Sequence, residues 1–224
     1  MAPADYLLRM DWLDRLLGAT RARLLRLARG RSVSINDLAA GVGITDNAVR
    51  GHVAALERDG LVRARSQRPT GGKPARLYEL TPEAEELFPK AYALVLGELL
   101  ATIREEQGEA AMVARLREVG RRLGAGGAGG HAGTAGRVAA TAALLESLGG
   151  SIEAERSEEG WTLRSAGCPL SRVVAENPDV CRLVESIVAE ATQCAVREVC
   201  DRAGLPKCGF RVAAPEAEAG SEPR

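Results

Sequence analysis

Five cysteines carry most of the chemistry that this sequence of 224 residues offers, and all of them lie between positions 168 and 208. Four of them, Cys168, Cys181, Cys194 and Cys208, follow the pattern C-x12-C-x12-C-x13-C, and Cys200 is additional. Cysteine thiolates bind zinc, copper(I) and iron–sulfur clusters. Because the tight C-x2-C pairs of zinc ribbons and ferredoxins are missing from this pattern, the fold itself must bring the ligands together. For Cys200, within VREVC, we favour the role of a small buried hydrophobe.

The cysteines fall on separate predicted elements. A helix that ends near residue 148 is followed by a hairpin over 151–156 and 160–165, and then by a loop that contains Cys168. A helix capped by Asn177 is predicted over 178–191 and contains Cys181. Two closing strands are predicted over 194–200 and 207–212, and these contain the other three cysteines. A straight strand would separate Cys194 from Cys200 by ~20 Å. A hairpin between the last two strands would instead place Cys208 beside Cys200. The fourth ligand therefore stays open between Cys194, Cys200 and a group other than cysteine.

Residues 34–62 predict two short helices joined by a tight turn. Gly43 suits the turn, and Thr45 is a good N-cap for the second helix. Within that helix Val49, Val53 and Leu56 recur at helical spacing and predict a buried face. The opposite face is small, polar and basic, which is typical of a helix that enters the major groove of DNA.

A β-hairpin with a basic tip is predicted directly after this helix pair. Residues 61–66 and 76–80 alternate as strands do, and residues 67–74 favour a turn. Five cations and no acid lie between Arg63 and Arg76, although the whole chain has zero formal net charge. Such side chains suit contacts with phosphates, which add affinity but little sequence information.

Helix pair and hairpin together predict a winged helix-turn-helix that binds a double-stranded DNA operator. We expect Asn47 and Arg50 to read bases and the cations of the hairpin to hold phosphates. The candidate DNA-binding residues are Thr45, Asn47, Ala48, Arg50, Gly51, His52, Arg65, Arg68, Lys73 and Arg76.

The predicted fold class is α+β, with five segments. Residues 1–80 form the winged domain, including a helix from Thr20 to Arg29, and residues 81–123 form a helical region that dimerises. Residues 124–136 form a flexible Gly-rich linker with His131 exposed, residues 137–213 a cysteine-bearing sensor domain, and residues 214–224 a disordered tail. The linker contains G-x-G-x-x-G, but no strand precedes it and no P-loop lysine follows, so we predict no nucleotide site.

Composition excludes several classes of function. Aromatic residues make up only 3% of the chain, which argues against binding single strands by base stacking. The sequence contains no apolar run of the ~20 residues that a membrane span needs and no signal-peptide pattern, so we expect a cytoplasmic protein. With two histidines and no Ser/His/Asp arrangement, we do not expect an enzyme.

Several motifs resemble those of SufR-type repressors. The cysteine-bearing ones are CPL at Cys168, NPDVC ending at Cys181, QCAVREV around Cys194 and KCGF around Cys208. Upstream, GITDNAVRGHVAALERDGLV and GGKPARLYELTPEAEELFPKAY are similar too, so the resemblance covers about residues 20–212.

The resemblance implies a homodimer that binds a 4Fe–4S or 2Fe–2S cluster and represses the genes of cluster assembly. It implies Cys168, Cys181 and Cys208 as ligands, with Cys194 as the fourth. Two alternatives stay open. The regulator could use zinc or a thiol redox switch, or the chain could be a ligand-binding module or enzyme fused to a DNA-binding domain.

Overall fold

The computed structural model describes residues 11–68, 75–127 and 133–214. The described residues form ten α-helices and two small antiparallel sheets, so the chain has an α+β fold. It divides into two compact units, Met1–Ala91 and Tyr92–Arg224. Among the described residues, none of the helices combines the length and the apolar character that crossing a membrane requires.

The first unit consists of five helices and a three-stranded sheet of order β1-β3-β2. Its elements are α1 (Asp11–Leu17), α2 (Ala19–Ala28), β1 (Val33–Ser34), α3 (Ile35–Val42), α4 (Asp46–Arg58), β2 (Val62–Arg68), β3 (Ala75–Leu80) and α5 (Pro82–Glu86). One apolar cluster, with Leu24, Leu25, Val49 and Leu56 at its centre, holds these elements together.

Local capping explains where α3 and α4 begin and end. Ser34 and Asp37 form a reciprocal capping box at the start of α3, and Gly43 ends that helix in the left-handed conformation at φ 81°. The Thr45 hydroxyl then accepts a hydrogen bond from the Ala48 N–H at 3.3 Å and starts α4. The predicted pair of helices and its glycine turn are therefore present.

The second unit contains four helices of 12 to 17 residues, several short elements and a four-stranded sheet of order β4-β5-β7-β6. Its elements are α6 (Tyr92–Gln107), α7 (Glu109–Ala125), α8 (Gly133–Ser147), β4 (Ile152–Ser157), β5 (Gly160–Ser165), α9 (Ser171–Val174), a 3-10 turn (Pro178–Val180), α10 (Cys181–Thr192), β6 (Val196–Glu198) and β7 (Gly209–Ala213). Helix α10 contributes to two apolar clusters, Cys181 to one and Ile187 and Val188 to the other.

The expected Gly-rich linker over 124–136 is wrong at both ends. Gly124 and Ala125 belong to α7, and residues 133–136 form the first turn of α8. A Cβ at Gly120 would lie 2.3 Å from the Leu183 carbonyl oxygen, and one at Gly124 would lie 2.6 Å from the Ile187 carbonyl oxygen. These two glycines therefore allow α7 and α10 to pack backbone against backbone. Residues 128–132, including His131, lie outside the described part of the chain.

Four boundaries differ from expectation. Asn177 makes no side-chain capping hydrogen bond, because a 3-10 turn precedes α10 and moves its start to Cys181. Helix α2 begins at Ala19 with Gly18 at its N-cap, rather than at Thr20. The strand expected over 194–200 is only β6, because Gln193 ends α10 in the left-handed conformation and the chain turns before Val196. The first compact unit also includes α5, whereas the sequence placed a boundary after residue 80.

Candidate metal centre and nucleic-acid interface

Four cysteine side chains come from four positions around one end of the sheet in the second unit. Cys168 lies in the loop before α9, Cys181 begins α10, Cys200 follows β6 and Cys208 precedes β7. The Ser165 N–H donates to the Cys208 carbonyl oxygen at 2.9 Å, and the Val199 N–H donates to the Gly209 carbonyl oxygen at 2.8 Å. The turn between β6 and β7 is closed by a bridge between Asp201 and Lys207, which places Cys200 beside Cys208.

The four thiols interact in the order Cys168, Cys208, Cys200, Cys181. A hydrogen bond from Cys208 holds the pKa of the Cys168 thiol below its ordinary value despite burial. The same contact with Cys168, together with burial, raises the pKa of Cys208 to about 12, although Cys200 opposes the shift. For Cys200, the contact with Cys181 lowers the pKa, but Cys208 and burial outweigh it and raise the pKa to about 12. The contact with Cys200, and then burial, raises the pKa of Cys181.

A carboxylate and a guanidinium frame the Cys181–Cys200 pair. One Glu198 oxygen accepts a hydrogen bond from the Cys200 N–H at 2.8 Å, and the other accepts one from Arg202 at 2.7 Å. The Arg202 side chain also contacts Cys181, which raises the pKa of the guanidinium. Burial raises the pKa of the Glu198 carboxyl, but its hydrogen bonds outweigh burial and the net pKa is lowered. The Cys181 and Cys200 sulfurs and a Glu198 oxygen all lie within 4.8 Å of one another.

The backbone at Gly209 supports Cys200 directly. The Gly209 N–H donates to the Cys200 sulfur at 3.4 Å. A Cβ at this position would lie 2.8 Å from the Val199 carbonyl oxygen, closer than such atoms approach. Only glycine therefore fits between the two strands where Cys200 meets β7.

Cys194, the fourth ligand implied by the family resemblance, stands apart from these contacts. Its thiol donates to the Thr192 carbonyl oxygen at 3.4 Å, and its side chain packs in the apolar cluster that contains Phe210. The additional cysteine, Cys200, which we expected to be only a small hydrophobe, takes the position inside the group. The sequence had already left Cys200 open as the fourth ligand, because a hairpin between the last two strands would place it beside Cys208, and the structure contains that hairpin.

The exposed face of α4 contains the residues predicted to read DNA. Thr45, Asn47, Ala48, Arg50 and Gly51 are exposed. His52 is half-buried on the flank of this face. The opposite face buries the apolar positions predicted for it.

The hairpin formed by β2 and β3 is less positively charged than its sequence indicates. Arg63 and Arg65 both donate to Glu79, at 3.0 and 2.7 Å, and Arg76 donates to Glu57 at 3.1 Å. The register pairs Arg63 with Glu79 across the two strands. Aligning the two predicted strands of the hairpin would therefore have identified Glu79 as the partner of Arg63. Arg68 occupies the last position of β2, opposite Ala75, and Lys73 lies outside the described residues.

Comparison with known proteins assigns no family to this chain. No protein-family model matches the sequence. No curated protein matches it either. Among solved structures, the chain is similar to a double mutant of Lactococcus lactis ZitR in its apo form, at 24% identity over 47% of this chain and 80% of that chain, with a TM-score of 0.28. A TM-score this low carries no argument about the fold or the function of the chain.

Proposed function

We propose that this protein is a DNA-binding transcription regulator, not an enzyme, whose second unit senses an iron–sulfur cluster. The observation that carries the proposal is a series of pairwise contacts, Cys168 with Cys208, Cys208 with Cys200 and Cys200 with Cys181, among residues up to 40 positions apart in the sequence. Of these, Cys181 and Cys200 also lie within 4.8 Å of each other. Isolated buried cysteines fill a core without meeting one another. Thiols that contact one another can instead serve together as ligands of a metal ion or cluster.

This donor set fits an iron–sulfur cluster by its chemistry. Four thiolates are the usual ligands of 2Fe–2S and 4Fe–4S clusters, and soft sulfur ligands favour iron–sulfur and zinc over magnesium or calcium. Cys168, Cys181, Cys200 and Cys208 would hold the group, and Cys194 is left out of the set that we propose. A bound cluster would supply redox-sensitive and iron-sensitive chemistry to the regulator.

The surroundings of the thiols suit a charged centre. Ligation needs deprotonated sulfur, which brings negative charge into a half-buried site. Arg202 is the cation in contact with Cys181, and the Gly209 N–H points at the Cys200 sulfur. Hydrogen bonds to ligand sulfurs adjust the potential of such centres.

The first unit is the proposed DNA reader, a winged helix-turn-helix. Its support is the order α2, α3, α4 and the β2–β3 hairpin, together with the exposed polar face of α4. Asn47 and Arg50 would contact base edges, and the hairpin cations would contact phosphates. Since Glu79 and Glu57 neutralise part of the hairpin charge, we assign affinity to the helix face more than to the hairpin.

Helix α6 is the proposed contact between two copies of the chain. It exposes Tyr92 (74%), Val95 (62%) and Leu99 (54%), which recur at helical spacing on one face. A two-fold dimer would match a palindromic operator and double the DNA contacts. In this proposal the cluster orders the second unit, and its loss weakens binding to the operator of cluster-assembly genes.

Cysteine-to-serine variants of the full chain test the metal centre. After anaerobic purification, the wild type should be brown and contain iron and sulfide. Cys200→Ser should lose most of both, whereas Cys194→Ser should retain them. If Cys194→Ser lost the cluster and Cys200→Ser kept it, the proposed ligand set would be incorrect.

DNA binding is tested by gel-shift titration at several salt concentrations. Arg50→Ala should lower the preference for the operator over random DNA, because a base contact is worth about 1–3 kcal/mol of discrimination. Lys73→Ala should weaken binding to all sequences alike and reduce the salt slope by about one unit. Identical behaviour of the two variants would contradict the division into reading helix and phosphate-binding hairpin.

A second candidate is a zinc-dependent regulator. The position of Glu198 next to Cys181 and Cys200 favours it, since zinc accepts carboxylate as well as thiolate ligands. A zinc protein would be colourless and contain no sulfide. Glu198→Gln would then lower its zinc content, whereas the same change would leave the iron content of a cluster held by four cysteines unchanged.

A further inference from the structure

The second unit contains an apolar cavity of about 210 Å³ next to the thiol group. Leu145, Leu183, Ile187 and Phe210 form much of its wall. Cys168 and Cys208 also line it, whereas Cys181 and Cys200 do not. The cavity therefore adjoins the proposed metal centre on one side and is a separate space.

The polar groups of the lining do not call for a charged ligand. None of the described residues that line the cavity carries a charged side chain. The Ser165 hydroxyl oxygen already accepts hydrogen bonds from the Ser151 and Gly167 N–H groups, at 3.2 and 3.4 Å. What fits such a wall is an uncharged molecule that buries apolar surface, because a charge would lose its water without gaining a partner.

The volume limits the size of the molecule. An apolar protein cavity of about 150 Å³ holds benzene, which has six carbon atoms, so 210 Å³ corresponds in proportion to about eight non-hydrogen atoms. Leu123 and Leu148 belong to the lining and are 44% and 43% exposed, so the opening lies beside them. A small ligand can enter there without unfolding the unit.

We propose that this cavity binds a small uncharged apolar molecule, of about the size of toluene or ethylbenzene, in contact with Cys168 and Cys208. Through that contact, the ligand changes the environment of two of the four thiols. The regulator thus gains a second input besides the metal centre. The binding itself depends on the cavity alone and does not require that the thiols hold a cluster.

Toluene is the probe for the first experiment, with the reduced full chain measured both as purified and after removal of any bound metal. The wild type should show a saturable rise in Tm with toluene concentration, and the Cβ resonances of Cys168 and Cys208 should shift in carbon–proton spectra. Leu148→Trp and Leu123→Trp place an indole at the opening and should each reduce toluene affinity at least tenfold. Leu205→Trp makes the same change at a leucine that is 85% exposed and outside the lining, so its affinity should stay within twofold of the wild type.

Three results of the toluene experiment would overturn the proposal. The first is a wild-type protein with no saturable response to toluene. The second is an equal response to toluene in the wild type, Leu148→Trp and Leu123→Trp. If one of these variants does not fold, the other is compared with the wild type. If neither variant folds, the absence of shifts in the Cys168 and Cys208 resonances of the wild type would overturn the proposal. The third is light scattering that shows toluene merely competing with self-association, because a second copy would then cover the cavity.

Metal content separates this proposal from the metal centre. Leu148→Trp should retain wild-type iron or zinc and lose toluene, and Cys200→Ser should lose metal and retain toluene. If the two properties were lost together in both variants, the cavity would be part of the metal site and the proposed separate ligand site would be refuted.

Discussion

Gly120→Ala adds one methyl group at the closest approach of α7 and α10. The new Cβ would lie 2.3 Å from the Leu183 carbonyl oxygen and 2.7 Å from the Ser186 Cβ. Ordinary contact starts near 3.4 Å, so the helices must separate by about 1.1 Å (3.4 − 2.3) or the local backbone must distort. Since the obstructing atom is a backbone carbonyl, no side-chain rotation can relieve the clash.

The expected cost follows from two opposing effects. Overpacking of a well-packed interface costs up to about 3 kcal/mol, and the clash with a backbone atom places this site at the upper end. Alanine gains up to about 1 kcal/mol over glycine in a helix. The second unit should therefore lose about 2 kcal/mol of its free energy of unfolding.

Urea unfolding followed by tryptophan fluorescence measures this loss. The chain has two tryptophans, so a Trp12→Phe background leaves Trp161 of β5 as the reporter of the second unit. Gly97→Ala is the matched control, because it makes the same change inside α6 and an added Cβ there meets no atom within 4 Å. The control should be more stable by about 0.5–1 kcal/mol. Equal stability of the Gly120→Ala and Gly97→Ala variants would refute the claim that glycine is required for this packing.

Three further predictions concern the two units separately. Gly51→Ala should stabilise the first unit by about 0.5–1 kcal/mol, since an added Cβ meets no atom within 4 Å. Gel shifts of this variant should nevertheless show weaker DNA binding, because the methyl group lies on the proposed DNA-facing surface. The hydrogen bond from Arg29 lowers the pKa of Glu85 despite burial, so this carboxylate stabilises the fold above its unfolded pKa and loses that effect as pH falls through its folded pKa. Glu85→Gln should therefore cost at most about 1 kcal/mol at pH 7 in urea titrations and nothing well below about pH 4. Removal of the proposed metal by a chelator should lower the stability reported by Trp161 and leave that reported by Trp12 unchanged.

The elements of the first unit were predictable because their signals are local. Gly43 and Thr45 specify a turn and a cap within a few residues, and Val49, Val53 and Leu56 mark a buried face by spacing alone. The ion pairs of the hairpin were missed, since Glu79 lies beyond the basic segment and meets Arg63 only through the register of two strands. Charge counted along a segment therefore overestimated the charge that the folded hairpin presents.

In the second unit, glycine composition was misleading. Gly124 and its neighbours have the composition of a linker, but their lack of side chains serves a close contact between helices that are about 60 positions apart. Only the partner helix distinguishes these two uses of glycine. The same holds for Cys194 and Cys200, which both pack against the cluster that contains Phe210, whereas Cys200 also contacts Cys181 and Cys208.

The sequence alone determined which chemistry is on offer: thiols concentrated in one region, a helix with a polar exposed face, and caps and turns that specify where helices begin. These properties depend on residue type and short-range spacing, both of which are given directly by the sequence. The tertiary structure decided which thiols meet, because a short turn brings Cys200 to Cys208 and the end of α10 turns Cys194 away. It also decided where apolar walls leave a cavity, since such a space belongs to no single segment and exists only between packed elements.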